Sequence, residues 1–294
     1  MAPNMSEPQV ISASRRTDIP AYYTEWLLGR LKAGRCRYFH VFSRQWHEVD
    51  LRREAVRAMV LWSKDYAPLL PHLDTIAGHA PFICQFTITG HPADLEPCAP
   101  PWREAVAQAR EIASRFSAGH VMWRFDPIVI TQRTPRAEVV ERFTRLADAL
   151  AGHTRVCAYS FVQEYRKVNA RLRELGVTFE ELPLEDQHDL AHELSAIAAQ
   201  RGIELRACCI PAPPGGAIPQ ARCIDRDALI AAGMDPQPAL KRAATRKGCG
   251  CYKSVDIGAY DTCPSGCVFC YANRGLTKAR AYAEEHDPAA DTLG

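Results

Sequence analysis

The sequence lacks several features that would place it at once in a familiar class. It has no run of about 18 or more apolar residues, so no transmembrane helix and no membrane partner are predicted. The opening stretch MAPNMSEPQVISASRR has no basic segment followed by an apolar core, so no secretory signal is predicted and the expected compartment is the cytoplasm. A glycine-rich phosphate loop and a nucleophile elbow are also absent, which argues against P-loop and α/β-hydrolase chemistry.

A strong excess of charge of one sign is missing as well. The 36 Lys and Arg residues nearly balance the 34 Asp and Glu residues, and the net charge is +2. This balance does not by itself indicate a nucleic-acid binder. The apolar fraction of 47% and the charged fraction of 24% are typical of globular proteins. A chain of 294 residues is long enough for one (β/α) barrel or for two ordinary domains.

Short apolar runs alternate with amphipathic stretches along most of the chain. The predicted strands lie over 8–13, 37–42, 57–62, 82–88, 120–125, 155–161, 203–207 and 255–260. The predicted helices between them lie over 22–34, 100–119, 135–152 and 184–202, and several end at Gly. This alternation predicts an α/β fold, a parallel (β/α) barrel that is full or partly open, as a single domain over 1–294.

Residues 208–250 interrupt this alternation. The segment is rich in Pro, Gly and Cys, and only a short helix near 226–232 is predicted within it. A long insertion of this kind is usually functional or disordered. Because five cysteines lie on it or at its edges, we expect a function.

Cysteine is the residue that the chain has in excess. Of the 12 cysteines, eight lie between 208 and 270, and in a reducing compartment such clustering indicates metal binding rather than disulfides. Cys263, Cys267 and Cys270 form a C-x3-C-x2-C loop. Three thiolates leave a tetrahedral metal site one ligand short, so we considered whether Cys249 and Cys251 complete a zinc site there.

A second set of four thiols is the other possibility. Cys223, Cys249 and Cys251, with either Cys208 or its neighbour Cys209, could hold an auxiliary Fe–S cluster or a structural zinc ion. We choose Cys208 because adjacent cysteines do not easily share one metal. A six-residue strand over 255–260 would span about 20 Å, which predicts that this set is separate from the loop.

Polar residues follow most of the predicted strands. In a parallel barrel the chemistry lies at the carboxyl ends of the strands, so these residues are candidates for the site. The alternative is that they only mark the starts of loops. The candidates are Ser14, Arg15, Arg16, Thr17, Asp18, Ser63, Lys64, Asp65, Thr87, Thr89, Arg124, Asp126, Ser160, Gln163 and Glu164.

The loop CPSGCVFC resembles the cluster-binding motif of the radical S-adenosylmethionine enzymes, with the aromatic Phe269 before the third cysteine. The stretch CVFCYAN most resembles the spore-photoproduct-lyase-like members. The resemblance implies that Cys263, Cys267 and Cys270 bind a [4Fe–4S] cluster whose open iron takes S-adenosylmethionine. It also implies a 5′-deoxyadenosyl radical that abstracts hydrogen from an unidentified substrate, and an electron donor such as flavodoxin or ferredoxin. Because related enzymes often carry auxiliary clusters, it favours a second Fe–S cluster over zinc.

The late position of this loop implies a circular permutation. In typical members of the superfamily the motif follows the first strand. Here residues 255–286 would form that first strand, cluster loop and helix, and the strand over 8–13 would be the second. The stretches SASRRTDIPAYY, WRFDPI and SFVQEY also resemble an uncharacterised bacterial family, a domain of unknown function whose terminal cysteines look like a radical S-adenosylmethionine loop.

One departure from the superfamily concerns the cofactor. Its Gly-Gly-Glu stretch is absent, and SASRRTD stands at the corresponding place. Ser12, Ser14 or Asp18 would then accept hydrogen bonds from the cofactor amino group, and Arg124 would bind its carboxylate. Phe269 would pack near the adenine. The predicted catalytic residues are Arg16, Asp18, Arg124 and Asp126.

The rival hypothesis is a non-catalytic zinc or Fe–S module that binds nucleic acid or a protein partner. A nucleic-acid substrate is suggested only by the resemblance to photoproduct lyases. The colour of the purified protein separates these hypotheses, because an Fe–S protein is brown and a zinc protein is colourless.

Overall fold

The computed structural model describes residues 7–41, 43–163, 165–178, 180–211 and 218–294. Its strands are β1 Gln9–Ala13, β2 Arg35–His40, β3 Gln45–Asp50, β4 Val56–Ser63, β5 Phe82–Thr87, β6 Val121–Ile128, β7 Val156–Phe161, β8 Glu204–Ala207 and β9 Val255–Asp256. Its helices are α1 Ile19–Tyr22, α2 Thr24–Ala33, α3 Leu73–His79, α4 Trp102–Arg115, α5 Arg136–Leu150, α6 Arg166–Glu174, α7 Leu184–Ala199, α8 Arg226–Ala231 and α9 Leu276–Glu285. None of the helices within these ranges has both the length and the apolar character needed to cross a membrane.

Seven parallel strands form the main sheet, in the order β8-β7-β6-β5-β4-β1-β9. The predicted α/β class with a parallel sheet is therefore confirmed. The strands are nearly continuous apolar runs because both faces of the sheet are covered, as β5 shows with five of its six residues buried. Since all seven strands run in one direction, their carboxyl ends lie along the same edge, and the polar residues that follow the strands are gathered there.

The last strand of the chain lies beside the first. In β9, Val255 pairs with Ile11 and Asp256 pairs with Ser12 of β1. This places β9 at one edge of the sheet and β8 at the other. Within the described ranges the two edge strands do not pair with each other, so the sheet is open and the full barrel considered from the sequence is not observed.

The strand predicted over 37–42 does not belong to the main sheet. Its described residues form β2, which pairs antiparallel with β3 in a separate two-stranded sheet, and residue 42 lies outside the described residues. The reason is the short connection between β2 and β3, because four residues are enough for a hairpin but not for the crossover of about a dozen residues that a parallel neighbour requires. The prediction of eight strands in one sheet was therefore wrong in this respect.

The helices that follow the strands pack on one face of the main sheet. Ile11, Leu61 and Trp123 point to this face and join one apolar core with residues of α2, α3, α4, α5 and α7. In α4, buried residues recur at the spacing of an amphipathic helix, as at Ala105, Ala109 and Ile112.

The opposite face of the sheet is covered by the described part of the segment that joins β8 to β9. Val10, Val60 and Met122 point to this face and form a second core with residues of that segment. Among these residues are Cys223, before α8, and Leu229, within α8. The Cys-rich insertion is therefore a structural layer of the fold, and it brings its thiols under the sheet face.

The strand predicted over 255–260 is shorter than expected. Regular pairing ends at Asp256, although the backbone N–H of Ile257 still donates to the Ser12 carbonyl at 3.0 Å. The backbone then approaches β1 closely, and a Cβ added at Gly258 would overlap the Ser14 hydroxyl. The length argument for separating the two thiol sets, which assumed six residues, therefore does not hold.

Candidate functional site

A buried carboxylate that the sequence analysis did not single out connects β9 to the end of β1. Asp256 accepts hydrogen bonds from the hydroxyls of Ser12 at 2.9 Å and Ser14 at 2.6 Å. Its Oδ2 also accepts from the backbone N–H of Arg15 at 2.9 Å and lies 3.5 Å from Arg15 Nε. A buried carboxylate needs such partners to offset its desolvation. The signal that could have found Asp256 is its acidic side chain in a strand of the predicted site.

Both serine hydroxyls also accept hydrogen bonds. Ser12 Oγ accepts from Trp62 Nε1 at 3.0 Å, and Ser14 Oγ accepts from the backbone N–H of Arg16 at 3.0 Å. A hydroxyl has one donor and two lone pairs, so each serine keeps one lone pair for a further donor. These two serines, among the four residues predicted to bind a cofactor, therefore both contact Asp256 and keep one acceptor position each.

Arg16 and Asp18 follow β1 but lie in different surroundings. Arg16 donates to the Gly258 carbonyl at 3.3 Å, and its guanidinium lies 5.2 Å from the ring centroid of the exposed Tyr260. Asp18 accepts from Ser63 Oγ at 2.6 Å and from the backbone N–H of Lys64 at 2.9 Å. Burial raises the pKa of Asp18 to about 6, although these hydrogen bonds oppose the shift.

The cysteine loop lies between β9 and α9, at the same edge of the sheet. Burial raises the pKa of Cys263 to about 11, and the charge of Asp18 adds to this effect. Burial also raises the pKa of Cys267 well above its usual value, whereas the charge of Lys64 lowers it. The three cysteines share this one loop, in which the backbone N–H of Cys270 donates to the Cys267 carbonyl at 3.1 Å.

One arginine of α6 holds the backbone of this loop. Arg171 donates to the carbonyls of Val268 at 3.2 Å, Cys270 at 3.0 Å and Asn273 at 2.5 Å. Within the loop, Asn273 Nδ2 donates to the Cys263 carbonyl at 2.5 Å. Sequence reasoning missed Arg171 because α6 was not among the predicted helices, and nothing in the local pattern connects it to residues about a hundred positions away.

Phe269 packs against a buried ion pair. Its ring centroid lies 5.2 Å from that of His91 and 5.8 Å from Lys64 Nζ. Lys64 donates to Glu96 at 2.6 Å, and Thr89 donates to the other carboxylate oxygen at 2.8 Å. Burial opposes both charges, but each partner favours the charge of the other, so the pKa of Lys64 is raised and that of Glu96 is lowered.

Arg124 and Asp126 of β6 contact each other. One guanidinium nitrogen donates to Asp126, which also accepts from the hydroxyl of Ser160 at the end of β7. The other donates to Cys223 Sγ at 2.9 Å. The guanidinium lies 5.3 Å from the ring centroid of Trp62. The structure therefore places Arg124 beside the second thiol set.

The thiols of the insertion lie in contact with one another. Cys208 Sγ is 3.8 Å from Cys223 Sγ and 4.0 Å from Cys209 Sγ. Cys251 Sγ accepts from the backbone N–H of Cys223 at 3.2 Å. Cys251 also interacts through its side chain with both Cys223 and Cys249. The structure thus brings together the four predicted ligands, with Cys209 next to them.

These contacts connect the thiols in pairs. In the described parts of the chain, no three Cys, His, Asp or Glu side chains are arranged as the ligands of one metal ion. Of the other predicted strand-end residues, Gln163 accepts from Arg246 at 3.3 Å, and Glu164 lies outside the described residues.

A comparison with models of protein families identifies the family of this chain. The model of the family described as "Domain of unknown function (DUF1848)" matches residues 10–272. The chain belongs to this family. Searches of curated proteins and of solved structures give no significant match. The DUF1848 region runs from β1 through the cysteine loop, so both thiol sets lie inside the family domain. The resemblance to a family of unknown function is thus confirmed, and the radical S-adenosylmethionine assignment stays a prediction.

Proposed function

We propose that this protein is a radical S-adenosylmethionine enzyme in which Cys263, Cys267 and Cys270 hold a [4Fe–4S] cluster. The observation that carries the proposal is the C-x3-C-x2-C loop, which directly follows β9 at the carboxyl edge of a parallel sheet. When bound, the cluster supplies an electron to S-adenosylmethionine, whose cleavage yields a 5′-deoxyadenosyl radical that abstracts hydrogen from a substrate.

The donor set of the loop fits such a cluster better than it fits a single ion. A structural zinc ion needs four protein ligands, and the motif of this loop supplies three cysteines. Thiolates are the usual ligands of Fe–S clusters. The positive charge of Lys64 lowers the pKa of Cys267, although burial, the larger effect, keeps that pKa well above its usual value.

Polar residues at the ends of β1 and β9 fit the amino group of the cofactor. Ser12 and Ser14 each keep one acceptor position, and the carboxylate of Asp256 behind them contributes negative charge. The half-buried Asp18, which follows β1 at the same edge of the sheet, is a further acceptor. We assign the binding of the ammonium group to these four residues in place of the absent Gly-Gly-Glu stretch.

The remaining predicted residues already make contacts that restrict how they could bind the cofactor. Phe269 is a candidate for the adenine, although its ring already packs against His91 and Lys64. For Arg124 to bind the cofactor carboxylate, it would have to exchange its bond to Asp126 or Cys223. We therefore propose that Arg124, Asp126 and Arg16 act on the substrate side of the cavity.

We also propose that the open sheet is a partly open (β/α) barrel with a circularly permuted chain. Two observations support this. Five of the helices pack on one face only, as they do around a barrel, and β9 lies beside β1 rather than beside β8. In this order β9, the cysteine loop and α9 form the first unit.

The proposal is tested by purifying the protein without oxygen and reconstituting it with iron and sulfide. We expect a brown protein that forms 5′-deoxyadenosine from S-adenosylmethionine when it is reduced by dithionite, or by a flavodoxin or ferredoxin from the cytoplasm. Replacing Cys263, Cys267 or Cys270 by Ala should abolish that product, because two thiolates cannot hold the cluster in a fixed place.

The matched control is Cys98→Ala, because the exposed Cys98 lies 3.9 Å from the Pro264 carbonyl of the same loop but is not in the motif. It should retain the activity. Product from any of the three loop variants would contradict the proposal. A colourless wild-type protein that holds zinc and forms no product would instead favour the non-catalytic binding module.

A further inference from the structure

The second thiol set lies where the insertion crosses the face of the sheet opposite the helices. Cys208, Cys223 and Cys251 are buried there among Val60, Met122 and other apolar residues of the second core. Apolar burial alone accounts for one or two such thiols, since a free cysteine behaves as a small hydrophobe. It does not account for four thiols, from the two loops on either side of α8, that are brought together in this way.

The distance between the sulfurs indicates what they could bind. Zinc–sulfur bonds of about 2.3 Å in a tetrahedron place two thiolate sulfurs about 3.8 Å apart. Cys208 Sγ and Cys223 Sγ are 3.8 Å apart. In a [4Fe–4S] cluster each thiolate binds a different iron, so the sulfurs lie farther apart than they do around one ion. This spacing therefore favours a single metal ion.

The surroundings favour a centre with net negative charge. Four thiolates and one divalent cation carry a charge of about −2. Arg124 donates to Cys223 Sγ at 2.9 Å, and an Arg246 nitrogen lies 3.9 Å from Cys208 Sγ. Such donors orient thiolates and offset their charge, as the outer shell of a metal site does.

The remaining ligands follow from the contacts of Cys251. Its sulfur accepts from the backbone N–H of Cys223 at 3.2 Å, and Cys249 lies two residues before it, whereas the sulfur of Cys209 lies 4.0 Å from that of its neighbour Cys208. Consecutive residues do not easily direct both side chains to one ion. We propose that Cys208, Cys223, Cys249 and Cys251 bind one zinc ion in a closed, four-thiolate structural site, in place of the auxiliary Fe–S cluster that the resemblance implies.

This site would connect the two ends of the insertion. Cys208 directly follows β8, Cys223 precedes α8, and Cys249 and Cys251 precede β9. Zinc binding would require rotation of the thiols from their pairwise contacts to one common centre. Because a metal site of this kind contributes its binding energy to folding, zinc would stabilise the insertion against the sheet.

The test does not depend on the proposed function. The full chain with Cys263, Cys267 and Cys270 all replaced by Ala cannot hold the catalytic cluster, so its metal content reports the second set alone. We expect about one zinc ion per chain by mass spectrometry. Replacing that zinc by Co²⁺ should give the strong visible bands of a tetrahedral thiolate site.

Variants of single thiols assign the ligands. In the same background, Cys208→Ser should lose most of the zinc, and the adjacent Cys209→Ser should retain it. Cys249→Ser with Cys251→Ser should lose zinc and lower the melting temperature. Iron and sulfide in place of zinc, full zinc in the double variant, or octahedral Co²⁺ bands would overturn the proposal. The Co²⁺ measurement needs no change in the second set, so it decides even if the double variant does not fold.

Discussion

Replacing Arg171 by Met would release the cysteine loop from α6. The Met side chain keeps an apolar stem of similar length, so the packing of Val168 and Leu172 against Val268 should remain. The guanidinium is what the variant removes. Its three hydrogen bonds all end on backbone carbonyls of the loop, so the effect should be confined to the loop.

The size of the effect follows from those bonds. Arg171 donates to the carbonyls of Val268, Cys270 and Asn273 at 3.2, 3.0 and 2.5 Å. A hydrogen bond from a charged group contributes about 1.5–3 kcal/mol, but bonds from one group do not add, and Arg171 is only half-buried, so water replaces part of the loss. We expect the free energy of local opening to fall by about 2–3 kcal/mol, which is roughly a 30- to 150-fold increase in the opening equilibrium.

Native-state hydrogen exchange measures that equilibrium. The amide of Val268 donates to the Leu95 carbonyl at 3.0 Å, and the amide of Cys270 donates to the Cys267 carbonyl at 3.1 Å, so both report the closed loop. The matched control is Arg173→Met on the same helix, whose guanidinium bonds within α6. If both variants exchange these two amides at the same rate, Arg171 does not hold the loop.

Two further predictions concern residues around the loop. Gly266 has a φ of +74°, so Gly266→Ala should destabilise the loop by about 1–2 kcal/mol and lower its iron content. The control is Gly275→Ala, which has open space around it and should have neither effect. Equal iron content in the two variants would contradict this prediction. Burial lowers the pKa of His91 to about 4, below its unfolded value near 6.5, so the unfolded chain binds more protons between these pH values and stability falls as the pH is lowered through them. In the His91→Gln variant, on the order of 2 kcal/mol of this loss of stability should disappear. The measurement is the difference in unfolding free energy between the variant and the wild type, from urea unfolding at pH 7 and at pH 4.5. A difference that does not depend on pH would refute the prediction.

The fold class could be predicted because it depends on local patterns. Buried parallel strands are short apolar runs and the helices between them have one apolar face, so β4, β5 and β7 were found close to their observed bounds. The hairpin of β2 and β3 was not found, because an apolar run does not show whether its neighbour is parallel or antiparallel. The length of the connection between the two strands decides whether they pair in parallel or antiparallel.

The candidate site was likewise predictable only in part. The spacing of Cys263, Cys267 and Cys270 is visible in the chain because all three lie on one loop. The sequence also placed Ser12 and Ser14 at the end of a strand. It could not show that Asp256, more than two hundred positions later, accepts a hydrogen bond from each of them.

By itself, the sequence determined the seven strands of the main sheet, the longer helices between them, and which thiols are close along the chain. Only the tertiary structure decided that β9 pairs with β1, that Arg171 bonds to the cysteine loop, and that Arg124 contacts Cys223. The physical reason is the separation along the sequence over which each kind of contact is made. Secondary structure follows from the spacing of apolar residues within a few turns, whereas a contact between distant residues depends on which elements pack together, and that is a property of the whole core.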